Sequence, residues 1–514
     1  MADAIDPATL ARALKAFAAI VGAENVFSTE EDQVAYSDHF ASDQSLHQPA
    51  GAIAPVSVEE IQAIVKVANE LKVPLWPISR GKNFGYGGPA PVLKGSIILD
   101  LSRMKKIEVD VENGTVLVEP GVGFFDLYDY LQEHNIPLWL SVPGNSWGSV
   151  AGNALDRGVG YTTYGDHAAR ICGLEVVLPD GDLVRTGMGA MAGSPVWNLN
   201  KTGFGPAWDL MFVQSNFGIV TKLGLWLLPE PESVTGLNID VQNADDLGWL
   251  IDTLGPLKRE NIIQQSPSIG NWLRAAAVLT QRDQWVEPGK PLDDAAIDAI
   301  RKKFNIGWWG VAIRFYGPLE MNTATMNVVK RAFNGRKLQN LVETKWMRGD
   351  PPEGSPVTGT PITYAMANGN WFGGAGGHVG YSPTMPVSGK LAMDQFHRTY
   401  ALYKQFGFDY HPSFAISDRH MTNVNQILFN RDSPEMMAKV DPFFRALVAD
   451  ATKQRYGEYR THVQYMDLVA STYDFNNHAL WRLHERVKDA LDPNGILAPG
   501  KSGIWPKNRR KAVA

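Results

Sequence analysis

Cysteine is nearly absent from this chain, which limits the kinds of site that the chain can contain. Cys172 is the single cysteine among 514 residues, so an intrachain disulfide framework and a cysteine-rich metal site are both excluded. It lies in the apolar run ICGLEVVL, where a small buried core residue is the expected role. We therefore predict no metal centre.

The chain also lacks an excess of charge of one sign and a long hydrophobic run. Its formal net charge is −6, whereas a nucleic-acid partner would require a basic face. Nowhere do eighteen consecutive apolar residues occur, and the N-terminus, MADAIDPATL, has no basic stretch ahead of an apolar one. We therefore expect no membrane association and a cytoplasmic location.

One glycine-rich stretch matches neither of the two common nucleotide-binding fingerprints, yet it resembles a phosphate cradle. Residues 77–88 read PISRGKNFGYGG and place four glycines around Arg80, Lys82 and Asn83. Glycine allows the backbone to turn several N–H groups toward one anion. A plain turn between two elements, with Arg80 and Lys82 as surface charges, is the alternative interpretation.

A chain of this length predicts two or three domains. A first helix, TLARALKAFAAIVG, ends at Gly22, and a second begins at Ser57, which is placed to form a capping box with Glu60. Short strands near 75–79, 96–101 and 115–120 follow, with a helix over 124–133. Further on, LEVVLPDGDLVRTG predicts a hairpin.

The sequence pattern changes after the prolines at 229 and 231, and this change indicates a domain boundary. Residues 232 to about 455 alternate amphipathic helices with aromatic-rich strands such as IGWWGVAIRFYG, an order that favours helices on one face of an antiparallel sheet. The glycine-proline texture then returns in LDPNGILAPGKSGIWP, so we expect the C-terminus to fold back onto the first domain.

Several separated segments together resemble one known family. These are PISRGKNFGYGG, GSVAGNALDRGVGYTTYGDH, LPDGDLVRTGMGA, QSNFGIVTKLGLWLLP, GEYRTH and DPNGILAPGKSG. In this order they are similar to the vanillyl-alcohol oxidase family of FAD-dependent 4-alkylphenol oxidases, which includes eugenol oxidase and para-cresol methylhydroxylase. The resemblance runs over nearly the whole chain, and this makes it more specific than any single motif.

The resemblance implies an α+β protein with a two-subdomain FAD-binding domain over 1–231 and 459–514, and an α+β cap domain with an antiparallel sheet over 232–458. It implies that the glycine loop binds the FAD pyrophosphate. The cofactor-binding positions carried over are Ser79, Arg80, Gly81, Lys82, Asn83, Pro143, Gly144, Gly148, Ser149, Asn153, Gly165, Ile219, Val220 and Lys501.

The same resemblance implies a covalent flavin. In this family a cap-domain histidine commonly carries the FAD 8-methyl carbon, and GGAGGHVGYSP places His378 at that position. Such a link would withdraw electron density from the ring and favour hydride acceptance. His39 and His47 are the candidates for assisting attachment.

A phenol-binding trio is implied at Tyr86, Tyr459 and Arg460. A para-alkylphenol gives up a benzylic hydride more readily as the phenolate, although a phenol pKa is about 10. Two hydroxyl donors and a guanidinium around the oxygen favour the charged form. Loss of hydride then leaves a para-quinone methide, which either adds water or loses a proton.

One position departs from the family pattern. Oxidases of this family usually carry an aspartate where this chain has Gly144, so we expect Asp418 or His420, in FAISDRH, to replace it. Gly144, Gly380 and Ser413 are small, which predicts room for guaiacyl or syringyl 4-alkylphenols. The pocket residues carried over are Gly380, Ser382, Ser413 and Trp371.

The favoured function is therefore an oxidase with a phenolic substrate and O₂ as partners, releasing peroxide. A cytochrome-coupled 4-alkylphenol dehydrogenase is the alternative, and a flavin-binding protein with little turnover is the third. Family members commonly form homodimers or higher homo-oligomers, which we expect here as well.

Overall fold

The computed structural model describes residues 5–41, 43–287, 289–351 and 354–510. Residues 1–4, which open the stretch used to predict the location, lie outside this part of the chain. Within it, no helix has both the length and the apolar character needed to cross a membrane.

A small four-stranded sheet opens the chain, with strand order β1-β2-β4-β3. Both β2 and β3 pair with β4 in parallel. Ser57 caps α3 by accepting a hydrogen bond from the amide of Glu60, as predicted. The elements are α1 (Pro7–Val21), β1 (Val26–Phe27), α2 (Glu30–Ala35), β2 (Gly51–Ile53), α3 (Val58–Leu71), β3 (Leu75–Ile78) and β4 (Ile97–Asp100).

A five-stranded antiparallel sheet follows, with strand order β5-β6-β10-β8-β9. Its β8–β9 pair is the predicted hairpin, and Cys172 is buried in β8 as expected. The elements are β5 (Ile107–Asp110), β6 (Thr115–Val118), α4 (Phe124–Glu133), β7 (Leu138–Trp139), α5 (Val150–Leu155), α6 (His167–Arg170), β8 (Ile171–Val177), β9 (Leu183–Arg185), β10 (Ile219–Trp226) and β11 (Leu228–Pro229).

The large antiparallel sheet has the order β15-β12-β14-β13-β18-β19-β16, with β17 also paired to β19. Most of its helices pack on one face around a core containing Trp309, Phe414 and Phe443, whereas a second cluster with Trp272 and Leu428 lies on the other face. The elements are β12 (Ser233–Val241), α7 (Asp246–Arg259), β13 (Ser268–Asn271), α8 (Trp272–Ala276), α9 (Asp294–Phe304), β14 (Trp309–Gly317), α10 (Leu319–Ala332), β15 (Asn340–Met347), β16 (Gly376–Tyr381), β17 (Thr384–Pro386), α11 (Gly389–Phe406), β18 (Pro412–Ile416), β19 (His420–Asn430) and α12 (Pro434–Lys453).

The C-terminal segment contains α13 (Met466–Ser471) and α14 (Phe475–Leu491) and then returns to the first sheet. Leu497 forms a parallel bridge with Leu75, and the Leu75 amide donates to the carbonyl of Ile496 at 2.7 Å. Segments that are distant in sequence therefore meet at the edge of the first sheet. The α+β class with an antiparallel cap sheet is confirmed.

Candidate active site

The glycine loop after β3 has the geometry of an anion cradle. Gly81, Gly85, Gly87 and Gly88 all have positive φ, a conformation that glycine adopts without steric cost. Within the described residues, the amides of Gly81, Lys82 and Asn83 donate no hydrogen bond. These N–H groups are thus available for an anionic group such as a pyrophosphate, as the FAD expectation requires.

A second loop lies against the first through two serines. Ser149 caps α5 by accepting a hydrogen bond from the Gly152 amide, and its hydroxyl donates to Ser79 Oγ at 2.6 Å. A Cβ on Gly152 would stand 2.3 Å from Ser79 Oγ, while a Cβ on Gly148 would meet no atom within 4 Å. The two loops are therefore in close contact at Gly152, whereas the space beside Gly148 is open and can accept a flat cofactor.

The remaining predicted cofactor positions fall in different environments. Arg80 pairs with Asp126 of α4 at 2.7 Å and Lys82 is exposed, so both match the alternative interpretation of flanking charges. Asn153 Oδ1 lies 2.6 Å from His167 Nδ1. The other predicted positions are buried or partly buried in the same two loops or in strand β10: Pro143, Gly144, Gly165, Ile219 and Val220.

Tyr86, Tyr459 and Arg460 converge, although 373 positions of sequence separate the two tyrosines. The guanidinium carbon of Arg460 lies 4.1 Å from the centroid of the Tyr86 ring. Arg460 Nε lies 3.0 Å from Asp156 Oδ2, and its Nη2 donates to Asn83 Oδ1. The guanidinium is therefore held across one tyrosine ring by the glycine loop and by α5.

Asp156 was not predicted, and it organises the cations of this site. Lys501 Nζ lies 3.1 Å from Asp156 Oδ1, and Asn83 donates to Asp156 Oδ2 at 3.1 Å. Burial raises the pKa of Asp156, but the charges of Lys501 and Arg460 outweigh burial and hold it below its usual value. The sequence offered one signal, an acid in NALDRG beside the glycine-rich segment.

Electrostatics keep both tyrosine hydroxyls protonated. Burial raises the pKa of Tyr86, and the positive charge of Arg460 only partly opposes this. Burial and then the neighbouring Tyr86 raise the pKa of Tyr459. Two neutral O–H donors beside a permanent cation can stabilise a phenolate oxygen without competing for its charge.

Glu458 is a second residue that sequence reasoning missed, although it stands inside the quoted motif GEYRTH. It is buried, and its Oε1 accepts a hydrogen bond from the Ser382 amide at 3.1 Å. Burial holds the pKa of Glu458 well above its usual range. Burial therefore disfavours the negatively charged carboxylate at this position.

His378 lies on β16 directly behind the glycine loop. A Cβ on Gly85 would stand 2.5 Å from His378 Nε2, and Phe40 packs on the ring with centroids 5.3 Å apart. Burial lowers the pKa of His378 to about 4. A neutral imidazole with a free nitrogen lone pair is the form that can attack a carbon.

The two histidines proposed to assist attachment are placed differently. His39 is exposed, whereas His47 is buried with Nδ1 2.9 Å from the Pro91 carbonyl oxygen. A third histidine, His462, pairs with the buried carboxylate of Asp38 at 2.6 Å, and both groups influence the pKa of His378. This pair was not predicted because its members are 424 positions apart.

The expected replacements for the missing aspartate are not in this cluster, and that prediction is corrected. Asp418 has a side chain that is 79% exposed and lies 3.3 Å from Lys258 Nζ. His420 begins β19 and is also exposed. Asp418 lies in the turn between β18 and β19 and His420 directly follows that turn, so both lie at the ends of the strands, away from the buried strand residues.

The predicted pocket residues lie on or beside the large sheet, and Gly380 has a different role from the one expected. A Cβ on Gly380 would stand 2.7 Å from Tyr86 Cζ, so this glycine admits the tyrosine ring rather than opening space for methoxy groups. Ser413 on β18 and Ser382, directly after β16, are both buried. Trp371 is fully buried and donates to Asp409 at 2.9 Å, which makes it part of the wall.

Comparison with known proteins agrees with this geometry. A family model described as the FAD binding domain matches residues 49–187, and one described as the C-terminal domain of FAD-linked oxidases matches residues 363–502. The hydroxylating 4-cresol dehydrogenase flavoprotein subunit of Pseudomonas putida is 37% identical over 504 residues, covering 96% of this chain and 95% of its own. The chain belongs to the vanillyl-alcohol oxidase and para-cresol methylhydroxylase family.

Two solved structures of this family superpose over almost the whole chain. The 4-ethylphenol oxidase from Gulosibacter chungangensis, in complex with isoeugenol, is 35% identical with a TM-score of 0.94. A substrate-bound p-cresol methylhydroxylase is 34% identical with a TM-score of 0.93. Each match covers 99% of both chains. This member of the family is thus an FAD-dependent oxidoreductase, and the residues of the glycine loop and α5 fit that cofactor.

Proposed function

We propose that this enzyme oxidises para-alkylphenols at the benzylic carbon and uses O₂ as the electron acceptor. The observation that carries the proposal is the convergence of Tyr86, Tyr459 and Arg460, with the guanidinium 4.1 Å from the Tyr86 ring centroid. Bound FAD supplies a hydride acceptor and passes the two electrons on. The chain supplies the phenolate site and the walls that exclude water.

Each residue of the trio has a separate task. The two tyrosine hydroxyls donate hydrogen bonds to the phenolic oxygen, and Arg460 balances its charge after the proton leaves. Asp156 orients Arg460 through the 3.0 Å contact with Nε. The benzylic hydride then leaves from an electron-rich ring, and a para-quinone methide forms that adds water or loses a proton.

We further propose that His378 carries the FAD covalently and that the preferred substrates bear ortho methoxy groups. Support for the first comes from the buried, neutral imidazole behind the glycine loop. Support for the second now rests on the small residues Gly144 and Ser413, since Gly380 is occupied by the Tyr86 ring. Asp418, exposed as it is, has no part in this proposal.

The test is turnover of 4-alkylphenols with zero, one and two methoxy groups, with peroxide measured under air. Methoxylated substrates should show the higher kcat/KM, and the Tyr459→Phe variant should lose about 10- to 100-fold in kcat/KM, because a donor to a charged oxygen is removed. Tyr130→Phe, which removes a hydroxyl far from the site, should leave the rates unchanged. Equal rates for Tyr459→Phe and the native enzyme would contradict the phenol clamp.

A cytochrome-coupled dehydrogenase is the second candidate, because the Pseudomonas putida relative is named as a dehydrogenase flavoprotein subunit. Peroxide in stoichiometric yield with the phenol consumed supports the oxidase. Turnover with an artificial one-electron acceptor but without peroxide supports the dehydrogenase. Flavin fluorescence that stays with the chain in a denaturing gel, and is lost in His378→Ala but kept in His47→Ala, tests the attachment.

A further inference from the structure

Arg274 is a partly buried cation without a counter-ion among the described residues. It lies in α8, its Nη1 is buried and donates no hydrogen bond there, and no carboxylate of that part of the chain pairs with it. Desolvation lowers the pKa of Arg274, yet a guanidinium remains charged at any physiological pH. A desolvated, unpaired guanidinium is costly unless something else compensates its charge.

The register of the large sheet places Arg274 on the face that carries the phenol clamp. Gly270 is the cross-strand partner of Ser413, and Ser413 of Val424. Gln426, two residues beyond Val424, is the partner of Gly380. Cross-strand partners and alternate residues share a face.

Two glycines on this face lie directly beneath the two side chains in question. A Cβ on Gly270 would stand 2.8 Å from Arg274 Cδ, just as one on Gly380 would stand 2.7 Å from Tyr86 Cζ. The arginine and the tyrosine therefore lie over the same side of the sheet, three strand spacings or about 14 Å apart at the backbone.

The described residues around Arg274 provide polar groups but no negatively charged group. His411 is fully buried two residues before Ser413, and neither of its ring nitrogens has a hydrogen-bond partner among the described residues. Burial and then the charge of Arg274 hold the pKa of His411 well below its usual value, so the imidazole is neutral. Tyr161, from the glycine-dense loop of the FAD domain, lies close enough to influence the guanidinium.

The region is closed by a segment that crosses the sheet. Asn368 donates to Gln426 Oε1 at 3.2 Å, and the neighbouring Trp371 packs with Trp272 and Leu428. A phenol held at Tyr86 directs its para substituent away from the clamp, and a carboxylate is the group that a guanidinium binds in two parallel hydrogen bonds.

We propose that Arg274 binds a carboxylate at the end of the substrate's para side chain, so that 4-hydroxyphenylalkanoates are a substrate class of this enzyme. The proposal rests on the phenol oxidation proposed above. For 3-(4-hydroxyphenyl)propionate, the phenolic proton and the benzylic hydride leave, and the adjacent carbon then loses a proton while the phenolic oxygen regains one, which gives 4-hydroxycinnamate. The two electrons and two protons leave with O₂ as H₂O₂.

The test compares 3-(4-hydroxyphenyl)propionate with its amide, which has the same shape and no charge. The native enzyme should prefer the acid, and Arg274→Met should lower the ratio of kcat/KM for acid over amide by about 10- to 100-fold. Arg274→Lys, which keeps the charge, should retain part of the preference. Arg419→Met, at an exposed arginine, is the matched control and should retain all of it.

A binding measurement separates this inference from turnover. Calorimetric titration of the holoenzyme with 4-hydroxycinnamate and with its amide should show the acid binding tighter, and Arg274→Met should abolish the difference. Tighter binding of the amide by the native enzyme would overturn the proposal, whether or not the variant folds. Oxidation of 4-propylphenol together with an unchanged acid-to-amide ratio in Arg274→Met would overturn it while leaving phenol oxidation standing.

Discussion

At the scale of single residues, the absence of one Cβ decides where the phenol clamp sits. Tyr86 occupies the space that a side chain on Gly380 would fill, and the Arg460 guanidinium carbon lies 4.1 Å from the centroid of the ring. The tyrosine therefore lies beside both a strand backbone and a guanidinium. A small change at Gly380 should move the hydroxyl without removing any catalytic group.

Gly380→Ala tests this arrangement. The added methyl carbon would stand 2.7 Å from both Tyr86 Cζ and the hydroxyl oxygen, so the ring must shift. We expect kcat/KM for a 4-alkylphenol to fall by about 10- to 100-fold, because displacements of about 1 Å have such effects on positioned groups. Gly374→Ala, whose Cβ meets nothing within 4 Å, should match the native rate. A native rate in Gly380→Ala would show that the position of Tyr86 is not critical.

His167 should make the protein less stable in mild acid. Burial lowers the pKa of His167 to about 4 in the folded chain, against an ordinary value of 6.5. Below pH 6.5 the unfolded state takes up a proton that the folded state refuses, so stability falls as the pH drops toward 4. By pH 5 the loss is about 2 kcal/mol.

Measuring the apparent Tm at pH 7.5 and pH 5 checks this effect. His167→Gln keeps a donor for Asn153 and should show a smaller drop in Tm between the two pH values. His134→Gln, at an exposed histidine, should show the native drop. Identical pH dependence in all three proteins would mean that His167 titrates normally.

At the scale of elements, the glycine loop links the cofactor end of the site to the substrate end. It begins at the end of a parallel strand and places Tyr86 beside β16. Its amides at residues 81–83 donate no hydrogen bond to any described residue. Its conformation depends on left-handed backbone at four glycines. Side chains there should weaken FAD binding before they affect folding.

Gly81→Ala should reduce the affinity for FAD on the order of tenfold, the equivalent of one lost charge-assisted contact. Its Cβ would stand 2.9 Å from Pro89 Cβ, and φ is +65°. Gly95→Ala has the same left-handed strain at φ +83° but meets no atom, so it isolates the contribution of the clash. The ratio of flavin to protein absorbance in the purified variants reports the result, and equal ratios would contradict a role for this turn in FAD binding.

Local signals predicted the elements that depend on neighbouring residues. The Ser57 cap, the apolar spacing of α3 and the Asp180-Gly181 turn act within a few positions and formed as expected. The capping box did not form, because the Glu60 carboxylate accepts from the Val56 amide instead of the Ser57 amide. The motifs around Tyr86 and Tyr459 carried enough resemblance to name the site. Asp418 failed because its position depends on where a hairpin turn leaves the sheet, which local pattern does not determine.

Long-range pairing explains what stayed hidden. Asp38 and His462, or Asn83 and Arg460, come together only through the docking of whole elements. Arg274 belongs to the same class, since its place beside the site follows from the register of four strands. The predicted domain boundaries at 231 and 458 and the predicted oligomer stay predictions.

At the scale of the whole molecule, one buried ion pair anchors the C-terminal return. Lys488 is fully buried, lies 2.7 Å from Asp492, and donates to the carbonyls of Asn216 and Leu497. Asp492 in turn accepts from the amides of Ile496 and Leu497. Helix α14, the second sheet and the strand-like end of the chain are joined at this point.

Lys488→Met should therefore lower the free energy of unfolding by about 3 kcal/mol or more, because it leaves the Asp492 carboxylate buried without its cation. The apparent Tm, recorded at a fixed heating rate, measures the loss. Lys390→Met removes a surface partner in the same i, i+4 spacing, with a lysine that is 81% exposed, and should change the Tm little. A native Tm in Lys488→Met would show that the pair is dispensable.

The bridge between Leu75 and Leu497 also bears on how the protein is made. Strand β3 emerges from the ribosome early, but its neighbour on one side is synthesised more than four hundred residues later. The same order of synthesis applies around Asp156, where Asn83 is made long before its neighbours Arg460 and Lys501. The flavin site is therefore complete only after Arg460 and Lys501 have been synthesised and have docked against the first half of the chain.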